Sequence, residues 1–250
     1  MKAWIGALLV GGLFTGVAGA QRPDSCDVPG YLLFGDSALN HVAAAVKGQH
    51  LDVAIIGSGS SALAGPDGPL HAYPARLEAA LARRLPGVEV KVAAHTKARQ
   101  TAEEMSEELE KILVDEKPSL VVWQTGTVDA MRGIDPDEYS AALNDGVETI
   151  QAAGADVILM NMQYSPRTEA MIAIGPYAEN MRWVAQQRDV PLFDRLGVMR
   201  HWSDTGAFDL YAATKAFVIA QHVHECIGRA LAAQIIDAAH LGPMTSKVLP

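Results

Sequence analysis

The sequence predicts a three-layer α/β/α sandwich on a five-stranded parallel sheet, and three observations carry that prediction. Short apolar runs recur at 52–56, 88–94, 120–123, 157–160 and 191–193. Segments with apolar residues at helical spacing lie between them. Cap and turn residues fall where one type of segment gives way to the next. Runs this apolar suit a sheet covered on both faces, and right-handed crossovers place the intervening helices there.

Asp36-Ser37 reads as the cap of a short helix that continues through Val46 and ends near Gly48. Asp52 to Ile56 follows as the first buried strand. After a loop rich in Gly, Ser and Pro, Tyr73, Leu77, Ala80 and Leu81 mark a helix that Pro86-Gly87 stops. Val88 to Ala94 is the second strand. Thr101 and Glu104 form a capping box, and Met105, Leu109, Ile112 and Leu113 supply one apolar stripe. Leu120 to Trp123 is the third strand. Asp135-Pro136 opens a helix that Gly154 closes. Val157 to Met160, a helix over Pro176–Gln187, a short strand at Pro191–Phe193 and a final helix near Ala213–Ala239 complete the order.

The chain has 250 residues, of which 49% are apolar and 20% charged, which suits one globular domain. A net charge of −9 disfavours nucleic acid or an anionic membrane surface as the main partner. The N-terminus differs in kind. Lys2 precedes an apolar run from Ala3 to Val17, and Ala18-Gly19-Ala20 has the pattern of a signal-peptidase site. The expectation is a signal peptide over 1–20 cleaved after Ala20, with an uncleaved anchor as the alternative. The mature protein would be periplasmic or secreted, with an N-terminal segment over 21–50, the main domain over 51–240 and a tail over 241–250. No other segment suits a stable membrane span. In an oxidising compartment Cys26 and Cys226 can pair, with two buried thiols as the alternative. Closing so long a loop stabilises by roughly 4 kcal/mol in the chain-entropy model.

In a parallel sheet the site lies at the carboxyl ends of the strands. Attention falls on the loops after Ile56, Ala94, Trp123 and Met160. They hold Gly57-Ser58-Gly59-Ser60-Ser61, His95 to Gln100, and Gln124-Thr125-Gly126-Thr127-Val128-Asp129. Together with Tyr73-Pro74-Ala75-Arg76-Leu77, Gln163 to Arg167 and Met199-Arg200-His201-Trp202, these blocks resemble the SGNH/GDSL hydrolase superfamily, in particular its exported bacterial members. The resemblance covers nearly the whole mature chain and implies a flavodoxin-like fold with esterase-type chemistry. That chemistry uses a serine after the first strand, oxyanion donors from a glycine N–H and an asparagine, and a histidine with its aspartate near the last helix.

Against that pattern the chain departs in every catalytic block. A gapless match puts Gly59 at the nucleophile and Val128 at the asparagine. It leaves no glycine between His95 and Gln100, and it puts Lys215 and Val218 at the aspartate and histidine. The literal Gly35-Asp36-Ser37 string does not follow a strand and reads as a helix start. Ser58 and Ser60 flank Gly59, so a bulge could present either one, but a base is still required. His222 and His224 stand two apart on a helix and face different ways, so they form no metal pair. No cofactor motif is present.

Lys97, Arg99, Arg132 and Lys215 are cations in or near the altered blocks. They read either as solvated surface charges or as an anion pocket, to which Ser58, Gly59, Thr127 and Asp129 would contribute. The leading expectation is an inactive hydrolase relative that binds an anionic small molecule or another exported protein. The alternatives are an esterase using Ser58 or Ser60 with an unusual base, and a subunit that stabilises a partner.

Overall fold

A computed structural model of the protein describes residues 26–211 and 216–241. The predicted signal peptide and nearly all of the predicted tail lie outside the described residues. In chain order the elements are α1 (Asn40–Lys47), β1 (His50–Gly57), α2 (Gly68–His71), α3 (Tyr73–Arg84) and β2 (Glu89–Thr96). Next come α4 (Ala102–Glu116), β3 (Leu120–Gln124), α5 (Thr127–Arg132), α6 (Pro136–Ala152) and β4 (Asp156–Met160). The chain continues with α7 (Pro166–Met171), α8 (Gly175–Gln187), β5 (Leu192–Phe193), α9 (Arg195–Asp204) and α10 (Ala216–Ala238).

The five strands pair in parallel in the order β2-β1-β3-β4-β5. The direction of winding reverses between β1 and β3, and in such sheets the crevice at the carboxyl ends of the two strands is the place for a site. Every residue of β3 is buried, as expected for a strand covered on both faces. The edge strand β2 is half-exposed and carries Glu89 and Lys91, charges that discourage pairing with another sheet. Helices α1, α3 and α10 pack on one face and α4, α6 and α8 on the other. Gly146 lets α6 approach the sheet, because a Cβ there would lie 2.3 Å from the Trp123 ring.

The capping box at Thr101 and Glu104 forms as predicted, and Asp135 caps α6. The first helix is a correction. Its N-cap is Leu39, not Asp36 or Ser37, and no side chain of the cap accepts a hydrogen bond. The helix N-terminus is served from elsewhere in the fold, where Asp156 at the start of β4 accepts the Val42 N–H at 2.9 Å. A carboxylate brought in by tertiary structure thus replaces a local cap. Short helices α2, α5, α7 and α9 were not predicted.

Cys26 and Cys226 form a disulfide across a sequence separation of 200 residues. It joins the N-terminal segment to α10. Two further bonds pin that segment: Trp202 Nε1 donates to Asp27 O, and Gln234 Nε2 donates to Leu33 O. Leu33, Leu39 and Val42 are buried in the same apolar core as the sheet. No helix among the described residues is long and apolar enough to cross a membrane.

Candidate functional site

The crevice between the ends of β1 and β3 is built around a polar cluster. Strand β1 ends at Gly57, where a Cβ would lie 2.3 Å from Ser61 Oγ, so the chain turns there on a bare backbone. A single 3-10 turn over Gly59–Ser61 follows. Gln124, the last residue of β3, is fully buried beneath this turn. Its Oε1 faces donors from Ser61 Oγ at 2.7 Å, Ser60 Oγ at 3.1 Å, and both Ser58 N and Ser58 Oγ at 3.3 Å. With its proton directed to Gln124, Ser61 accepts from the Tyr73 hydroxyl at 3.0 Å. Gln124 Nε2 is buried with no partner among the described residues.

Arg195, at the start of α9, is only 1% exposed. Its guanidinium donates to Ser60 O at 3.0 Å and Ser60 Oγ at 3.3 Å, and it sits 5.7 Å from the Tyr73 ring centroid. No carboxylate pairs with it among the described residues. Burial lowers its pKa to about 10, so it remains a cation at neutral pH. His224 on α10 is buried, and its Nδ1 accepts the Tyr73 N–H at 2.9 Å. Burial first, and the Arg195 charge second, lower its pKa to about 3. The imidazole is therefore neutral, with its proton on Nε2.

This geometry bears directly on the two serines. Ser60 Oγ donates to an amide oxygen and accepts from a cation, and Ser58 Oγ also donates to Gln124. The two hydroxyls also lie 3.4 Å apart, and neither has a base among its hydrogen-bond partners. Gly59 lies between them on the surface, and a Cβ there would meet Ala98 Cβ at an ordinary 3.6 Å. The first and second blocks are thus in contact, and Lys97 N donates to Gly57 O at 3.0 Å. Arg99 has φ 70°, a left-handed backbone that favours glycine, in the block where the family pattern has glycines. Arg132 holds this bend, donating to Arg99 O at 2.7 Å and to Glu104 at 2.9 Å.

The remaining predicted site residues are spread around this centre. Lys97 pairs with Glu108 at 2.5 Å. Arg99 is exposed, and Val128 is half-buried on α5. Thr127 Oγ1 is buried without a partner among the described residues. Asp129 is buried and accepts from Ala102 N at 2.8 Å, Gly126 N at 3.2 Å and Thr125 Oγ1 at 3.3 Å, which ties α5 to the start of α4. Burial raises its pKa despite these bonds. Lys215 lies outside the described residues. Val218 is 69% exposed on α10. Cys26, Cys226 and His222 offer the one cluster of metal donors found among the described residues, within 4.8 Å of one another, but the disulfide consumes both sulfurs. Sequence reading missed Gln124 and Arg195. Their only signal was a polar residue at the end of one apolar strand and a cation two residues after another.

A doubly wound parallel sheet with a serine-rich turn at its β1/β3 switch point is the α/β architecture that the resemblance to SGNH/GDSL hydrolases implies. The chain belongs to the non-GDSL lipase-like family, which it matches over residues 25–241. An acetylxylan esterase from Geobacillus stearothermophilus, Axe2, has a similar structure at a TM-score of 0.60, with 18% identity over 74% of this chain and 94% of that one. A lipase/acylhydrolase from Enterococcus faecalis is similar at 0.55, with 21% identity over 72% and 96% of the two chains. Both likenesses concern the fold. No curated protein sequence matches the chain.

Proposed function

We propose that this is an exported member of the superfamily that binds a ligand or a partner protein at the crevice and does not hydrolyse esters. One observation carries the reading. The gapless match puts Gly59 where the family pattern has its nucleophile, and the flanking Ser58 and Ser60 hydroxyls have Gln124 Oε1, not a base, as their hydrogen-bond partner. His224 supports it, since an imidazole with pKa about 3 is a weak base and already accepts a backbone N–H. The rim residues Lys97 and Arg99 favour an anionic ligand. The exposed Lys97–Glu108 pair is weak enough for a ligand to displace.

The test is labelling of the purified mature protein with a fluorophosphonate, which needs an activated serine. Wild type stays unlabelled. Gly59→Ser also stays unlabelled, because nucleophile and base act as a unit and the variant gains only one. The space beside Ala98 admits the new side chain, so misfolding does not account for inactivity. Stoichiometric labelling at Ser58 or Ser60, abolished by alanine at that position, refutes the proposal and establishes an esterase.

A further inference from the structure

We propose that a second site, a groove at the far end of α3 from the crevice, binds a phosphate-class oxyanion through Arg83, Arg84 and Arg229. The inference stands apart from the reading of the crevice. Helix α3 begins at the crevice with Tyr73 and ends with Arg83 and Arg84. Its 12 residues separate the two places by about 18 Å. The groove has a volume of about 440 Å³, and Asp27 is the one carboxylate in its lining, against three arginines. On a chain of net charge −9 this is a local reversal of sign.

Helix packing assembles the three cations. At Gly228 a Cβ would lie 2.7 Å from Arg76 Cβ and 2.8 Å from Leu77 N, so glycine lets α10 lie against α3. The next residue, Arg229, then shares the groove with the last turn of α3. Arg83 and Arg84 have no carboxylate within 4.0 Å among the described residues. Two arginines at a helix C-terminus also suit the helix dipole. That accounts for neither the third arginine from another helix nor the groove between them.

The walls are preorganised. The Cys26–Cys226 disulfide and the bond from Trp202 Nε1 to Asp27 O hold the segment that forms one side. Leu33, Ala80 and Ala230 line the groove with buried apolar side chains. Guanidinium forks recognise phosphate oxygens in pairs, and a rigid site loses less entropy on binding. The apolar lining admits a hydrocarbon next to the anion, so both a free phosphate compound and a lipid headgroup fit.

The experiment uses the disulfide-bonded mature protein at low ionic strength. Inorganic pyrophosphate is titrated calorimetrically, and cosedimentation is measured with phosphatidylglycerol and with phosphatidylcholine vesicles. Wild type binds pyrophosphate or the anionic vesicles. Arg83→Gln/Arg84→Gln weakens that binding by about tenfold or more, and Arg229→Gln also weakens it. Binding to anionic vesicles alone identifies a headgroup as the source; binding to pyrophosphate identifies a soluble anion. All three arginines are exposed, so unchanged melting temperatures are expected. Failure of wild type to bind either probe, or unchanged affinity in the triple variant Arg83→Gln/Arg84→Gln/Arg229→Gln, overturns the proposal. Loss of binding in Lys97→Gln with none in the triple variant assigns the anion to the crevice, which refutes the groove and leaves the crevice reading intact.

Discussion

Acidification reports on His224 with a magnitude that follows from its burial. Its folded pKa is about 3 against a usual 6.5. The unfolded chain therefore binds the extra proton first, and stability falls as pH drops below the unfolded value. The contribution is complete above about pH 7 and declines through the window between the two pKa values. At pH 5 the unfolded imidazole is almost fully protonated and the folded one is not. The loss between pH 7.5 and 5.0 is then about 2 kcal/mol, or about 4–8 °C in Tm. The figure holds for any folded pKa well below 5. Asp129 and Asp156 act in the opposite direction, because burial raises their folded pKa values and favours the native state on acidification. A non-titrating variant separates the terms. Glutamine at 224 keeps an oxygen for the Tyr73 N–H that His224 Nδ1 now accepts. Urea unfolding of wild type and His224→Gln at both pH values gives the double difference, expected at about 2 kcal/mol. The imidazole resonances of His224 should also stay at their neutral shift down to pH 4.5. Equal pH slopes in the two proteins, or an imidazole that titrates near 6.5, refute the burial argument.

Reducing the disulfide, or replacing both cysteines by serine, should lower stability by about 5 kcal/mol in the chain-entropy model, with the bond itself read by non-reducing peptide mapping of Cys26 to Cys226. Asp156→Ala removes the acceptor for the Val42 N–H, and it should cost about 1 kcal/mol in urea unfolding with the first hydrogen-exchange losses in α1. Asp36→Ala, at the cap expected from local sequence, should leave exchange in α1 unchanged, since Leu39 is the N-cap.

The strand and helix order was legible because it rests on local physics. Apolar runs flanked by Gly and Pro become strands of a doubly covered sheet. The stripe of Met105, Leu109, Ile112 and Leu113 buries as one face of α4, and Thr101 with Glu104 caps it without help from the rest of the chain. The blocks that carry the family resemblance were equally readable, because residue identity along the chain needs no coordinates. Wherever distant segments converge, local reading failed. Asp36-Ser37 has the composition of a cap, yet the donor at the head of α1 is satisfied by Asp156, over a hundred residues away in sequence. Lys97 and Arg132 read either as solvated surface charges or as cations of an anion pocket, and sequence could not name their partners. Folding brings Glu108 and Glu104 to them. Gln124 stood in the third block without a role of its own, and Arg195 in no block at all. They become the hub of the crevice only because β3 ends under the serine turn and α9 starts beside it. Sequence alone determined the class of fold and the order of its elements, since periodicity and identity are properties of neighbours along the chain. Tertiary structure alone decided which polar groups satisfy one another, since burial, pKa and charge pairing depend on what the fold brings within hydrogen-bond distance.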